Sequence, residues 1–146
     1  MPGFKFRLQS LLNVKRQMED NLKLELAEAN RLLKEETDLL DALVFQKREL
    51  MSSINIETSK GVKVEKLIEY NSYLFRLSMN IEKQKEKVII AQENADKHRE
   101  RLINIMQEKK MLEKLKDKNL EQYKAEETRR EQKNYESIIN FSLKND

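Results

Sequence analysis

From Leu8 to Ile54 apolar residues recur in alternating steps of four and three. One set of positions is Leu12, Glu19, Leu26, Leu33, Leu40, Lys47 and Ile54. The other is Leu8, Lys15, Leu22, Ala29, Glu36, Leu43 and Leu50, so ten of the fourteen are apolar. A period of about 3.5 residues predicts a helix packed lengthwise against another helix. Phe4, Leu11, Met18, Leu32 and Leu39 widen the stripe on one flank. A second stripe runs from Leu67 through Leu74, Ile81, Val88, Ala95 and Leu102, alternating with Tyr70, Leu77, Gln84, Ala91, His98, Ile105 and Leu112. Beyond Leu115 it fades, until a last cluster of Tyr135, Ile138, Ile139 and Phe141.

Between the stripes lies Glu57-Thr58-Ser59-Lys60-Gly61, which holds the only glycine away from the N-terminus. Glycine tolerates positive φ where a helix ends, and Thr and Ser favour local side-chain bonds over helix continuation. The chain is therefore expected to reverse here. Each stripe spans roughly 70 Å of helix at about 1.5 Å per residue. Folding them together about the turn opposes Ala29 to the Ala91 region, Glu36 to Gln84 and Leu8 to Leu112. The expected fold is all-α, an antiparallel two-helix coiled-coil hairpin with the longer helix second. Its expected parts are a first helix over 1–56, a turn at 57–62, a second helix over 63–141 that overhangs from about 116, and a tail at 142–146. An extended parallel homodimer is the alternative, because heptads alone do not name the partner; the equal stripes and the breaker favour a hairpin that is monomeric in isolation.

Composition agrees with long helices. Of 146 residues 38% are charged and 38% hydrophobic, with two glycines and one proline, which is too polar for a compact globule of this length. Disorder is the competing reading for so charged a chain, and the sustained heptads set it aside for the first half. The 29 basic and 26 acidic residues are interspersed, giving a net charge of +3 and no single-sign stripe for nucleic acid. No apolar run suits a membrane span or a signal peptide, so a soluble, cytosolic chain is expected. The absence of cysteine excludes disulfides, thiolate chemistry and the common zinc sites, and fits a reducing compartment.

Catalytic chemistry finds no foothold. His98 is the only histidine, and its heptad position makes it a seam residue rather than a ligand. Neighbouring carboxylates such as Glu35 with Glu36 or Glu126 with Glu127 diverge around a helix. A chain with two glycines has no Gly-rich phosphate loop. The expectation is a non-enzyme without cofactor or metal. Recognition remains. Phe45 and Phe75 fall on outer faces and Tyr73 flanks the seam, all within a few turns of the reversal, where exposed aromatics on a polar surface suit a protein partner. Scattered incidental exposure is the plain alternative.

Several segments carry a resemblance: Phe-Lys-Phe-Arg-Leu-Gln-Ser-Leu-Leu at 4–12, Tyr-Asn-Ser-Tyr-Leu-Phe-Arg-Leu at 70–77, Glu108-Lys109-Lys110, Leu112-Glu113-Lys114-Leu115-Lys116, and Glu126-Glu127-Thr128-Arg129-Arg130-Glu131-Gln132-Lys133. In this order around a short turn, they resemble the FliJ family, small soluble components of the flagellar type III export apparatus. The resemblance implies an antiparallel coiled coil similar to the stalk of rotary ATPases. It implies engagement of the pore of the export ATPase hexamer, contact of the turn end with the cytoplasmic domain of the export gate membrane protein, and binding of export chaperones. Transferred by position, the gate surface would include Leu43, Phe45, Tyr73 and Leu77, joined by the outward Phe75. The ATPase end would comprise Glu126, Arg129, Arg130 and Lys133. Such a protein is expected to be cytoplasmic and peripheral to the membrane-embedded apparatus, with no direct membrane insertion. A structural coiled coil or a prefoldin-like chaperone unrelated to export would share the same heptads.

Overall fold

A computed structural model describes residues 3–145. Helix α1 spans Gln9–Ser59 and helix α2 spans Val64–Lys144, and no strand occurs among the described residues. The helices pack against each other as an antiparallel hairpin whose second helix is the longer. The reversal falls later than expected. Thr58 and Ser59 do not stop α1, because their hydroxyls donate back to the carbonyls of Ile54 and Ile56 at 2.6 Å each. The break belongs to Gly61 instead, at a φ of 88°, with its N–H donating to the Thr58 carbonyl at 3.3 Å. A side chain there would be forced into the left-handed region that L-residues avoid. Helix α2 restarts with the N–H groups of Lys66 and Leu67 both donating to the Lys63 carbonyl at 3.1 Å.

The chain divides into two compact units, residues 21–102 and residues 1–20 with 103–146. In the first, the buried and half-buried positions of α1 include 22, 26, 29, 33, 36, 40, 43, 47, 50, 54 and 57. Those of α2 include 67, 70, 74, 77, 81, 84, 88, 91, 95, 98 and 102. Both follow the alternating step of three and four that the heptads predict. Ala29 and Ala95 are buried. Among the polar positions Gln84 is buried, and its amide donates to the Glu36 carbonyl at 2.9 Å and the Glu36 carboxylate at 2.5 Å. The expected meeting of these two polar groups is therefore present. His98 is half-buried, its Nδ1 lying 3.4 Å from the Glu25 carboxylate.

The second unit starts before α1. Phe4 and Phe6 precede the helix, with Phe6 buried and the Phe4 ring 5.7 Å from the Tyr123 ring. Leu12 is wholly buried. A charged layer follows: Lys109 Nζ lies 2.5 Å from the Glu19 carboxylate, which is itself buried, and Lys15 lies 2.7 Å from Glu108. The Glu19 hydrogen bond, above the other causes, raises the Lys109 pKa from its ordinary 10.5. Half-buried positions continue along α2 at 109, 112, 116, 120, 123 and 127. The unpaired part of α2 thus begins after Glu127, not near 116. The pairing is carried past 116 by the Lys109 contact with Glu19, the Arg16 contact with Glu113 and the Phe4 ring against Tyr123.

Candidate partner-binding surfaces

The expected gate residues separate once burial is known. Leu77 is 4% exposed and Leu43 half-buried, so both belong to the seam and shape the surface only from beneath. Phe45, Tyr73 and Phe75 are exposed, Phe75 at 67%. Tyr73 and Phe75 stand roughly 200° apart around a helix, so they cannot share a face. Tyr73 lies against α1, its hydroxyl accepting a 2.7 Å hydrogen bond from Gln46, with the Arg76 guanidinium 6.0 Å from its ring. Tyr70, beside it in sequence, is half-buried and donates to the Glu57 carboxylate, with Lys66 Nζ 5.8 Å from its ring centroid. That hydrogen bond is the largest cause holding the Tyr70 phenol above its ordinary pKa.

Phe75 has companions that an emphasis on aromatics passed over. Val64 is 71% and Ile68 60% exposed, and with Phe75 they recur at intervals of four and seven, which places all three on one side of α2. Ile56 shares the outer side of α1 with Phe45 by the same argument, eleven residues on, and is also exposed. The signal was available in the sequence: aliphatic residues off the heptad near the turn have no core to enter. The turn end thus carries two exposed apolar stripes, Val64-Ile68-Phe75 on α2 and Phe45-Ile56 on α1, with Tyr73 tied separately by its hydrogen bond.

At the other end of α2, Glu126, Arg129, Arg130 and Lys133 are all exposed. Steps of three, four and seven put them on one side of the helix. Tyr123, just before them, has its phenol pKa raised first by burial and then by a hydrogen bond with Glu127. The described residues hold no cluster of His, Cys, Asp or Glu that could bind a metal ion. Among the described residues no helix is long and apolar enough to cross a membrane.

An antiparallel two-helix coiled-coil hairpin whose exposed apolar and charged stripes lie off its seam defines the class. The particular family follows from comparison: the chain matches the family of the flagellar FliJ protein over residues 4–138 and belongs to it. FliJ is a non-enzymatic component of flagellar export, so the chain has a role in flagellar protein export. Searches of curated proteins and of solved structures gave no match.

Proposed function

We propose that this chain couples the export ATPase ring to the export gate, presenting its turn end to the cytoplasmic domain of the gate and the last part of α2 to the ring, and that it escorts export chaperones. The observation that carries the reading is the pair of exposed surfaces at the two ends of one uninterrupted helix: the Val64-Ile68-Phe75 stripe, and the charged set Glu126, Arg129, Arg130 and Lys133. The first suits a hydrophobic hot spot, since rigid apolar side chains give contact area at low entropic cost. The second suits a polar pore, where mixed charges set orientation more than affinity. Phe45 and Tyr73 belong to the gate surface, whereas Leu43 and Leu77 support it from the seam.

Binding of the purified gate domain and stimulation of the purified ATPase test the two halves separately. Ile68→Ser with Phe75→Ala should weaken gate binding at least about tenfold, a loss of about 1.4 kcal/mol, while ATPase stimulation stays. Truncation after Glu127 should abolish ATPase stimulation and spare gate binding. A truncated chain that still stimulates the ATPase would remove the ring assignment, and a double variant that binds the gate as before would remove the other. Suppression of aggregation of unrelated clients would instead favour the prefoldin-like reading.

A further inference from the structure

Two surfaces in this chain lack a partner and match one another. One is a groove in the unit of residues 21–102, made of two hollows that share Ala29, Leu32 and Asn94. Its floor is apolar: Leu24, Leu32 and Ile90 are all exposed beside the small side chains Ala29 and Ala91. Its rim carries Glu25, Glu28 and Glu93 against Lys87 and Lys97, a formal charge of −1, with Glu28 ion-paired to Arg31 and Glu36 engaged by Gln84 in the seam. The other is the last stretch of α2, in which every residue from 128 to 145 is exposed. There Tyr135, Ile138, Ile139 and Leu143 form one apolar side by their spacing of three and four, with Phe141 at its margin. Arg129, Arg130, Lys133 and Lys144 against Glu131 and Glu136 give this stretch a formal charge of +2.

We propose that the groove of one copy receives residues 128–145 of a second copy of this chain, and that the exchange is reciprocal. Charge selects the occupant: an acidic-rimmed apolar groove is offered a basic-rimmed amphipathic helix of its own chain. Extent supports it as well. Tyr135, Ile138, Phe141 and Leu143 are 67–70% exposed and Ile139 40%. Together they present on the order of 550 Å² of side chain, taking about 200 Å² for each aromatic and somewhat less for each aliphatic. Two such segments, each with its groove, reach the area of about 800 Å² per partner that a specific interface needs. A reciprocal exchange closes on a two-fold axis, so the product is a dimer and not a filament. The contact uses outer faces and leaves each hairpin seam intact. If the same segment serves the ATPase ring, which rests on the reading above, the dimer withholds it from the ring.

Sedimentation velocity of the full chain, alone, measures the association without reference to the ring. The expected result is a reversible monomer–dimer equilibrium with a midpoint in the tens of micromolar, weakened by added salt. Ile138→Asp with Phe141→Asp in one arm, and Ile90→Asp in the other, should each raise the dissociation constant at least about tenfold. Because the chain has no cysteine, a mixture of Leu32→Cys and Ile139→Cys proteins treated with a short bis-maleimide reports the pairing directly. A mixed cross-linked dimer is expected. A chain monomeric to 200 micromolar, or a dimer indifferent to the aspartate substitutions, or cysteines that fail to cross-link, would overturn the proposal. Circular dichroism guards against unfolding of an aspartate variant, and the cysteine pair decides if one does unfold. Failure of ring binding with dimerisation intact would count against the coupling reading alone.

Discussion

Gln84→Leu tests whether the polar layer stabilises the seam or only fixes it. Gln84 is 4% exposed and its amide serves two acceptors on Glu36, the backbone carbonyl and the carboxylate. Replacing it with leucine keeps the volume but leaves both acceptors facing a hydrocarbon. A hydrogen bond to a charged group contributes about 1.5–3 kcal/mol, and stranding a partly buried acceptor costs about as much, so the single change should destabilise by roughly 2–3 kcal/mol. That corresponds to a fall in Tm of about 5–10 °C for a chain of this size. Adding Glu36→Leu removes the stranded acceptor side chain, and the double variant should recover to within about 1 kcal/mol of the parent, since paired polar groups are often replaceable by packed apolar ones. Urea denaturation followed at 222 nm, run as a double-mutant cycle, gives the coupling directly. If the two single losses simply add in the double variant, the layer is not a coupled pair and the argument fails.

Other consequences are independent of that layer. Leu12→Ala opens a cavity at a wholly buried position and should cost about 2–4 kcal/mol; hydrogen exchange should show the loss of protection concentrated in residues 9–20 and 103–127. Truncation after Glu127 should leave the urea midpoint nearly unchanged, whereas truncation after Leu115 should lower it, because it removes Tyr123 from Phe4; equal midpoints would contradict the placement of residues 4–8. The raised pKa values of Lys109, Tyr70 and Tyr123 mean that the folded chain holds these protons more tightly than the unfolded one. Stability should therefore be full below about pH 10 and fall as pH rises through the folded values, with the fall reduced in Lys109→Met; a midpoint flat from pH 9 to 12 would refute this.

The seam was legible because its signal is periodic. A residue at 33 or 81 is assigned by its neighbours at seven-residue intervals, so Glu19, Lys47 and Gln84 could be placed in the seam despite their polarity. Two features escaped the same reasoning. Phe4 and Phe6 suit a helix flank by their apolar character, yet they lie before α1, and the contact of the Phe4 ring with Tyr123 lies outside the heptad pattern. Exposure near the turn also needed the third dimension. Tyr73 and Phe75 are close in sequence but on different faces, while Phe75 and Val64, eleven residues apart, share one. Leu77 is implied by the resemblance, while its heptad position places it in the stripe, where it is 4% exposed.

What heptads leave open, the choice between an intramolecular hairpin and a parallel homodimer, is decided by the polar positions within them. In a parallel pair each seam residue meets its own copy: Glu19 would face Glu19, Glu36 would face Glu36 and Lys109 would face Lys109, like charges in each of these layers. In the hairpin Glu19 meets Lys109 and Glu36 meets Gln84, while Lys15 meets Glu108 at the seam's edge. Each layer gains an opposite charge or a donor for its acceptor. These groups lower the stability an all-apolar seam would have, but they lower the parallel alternative far more, because it would bury unpaired like charges. The seam therefore specifies its partner through its least hydrophobic residues. That choice leaves the outer groove and the end of α2 free, and surfaces that the seam does not use are the ones available for contact with other molecules.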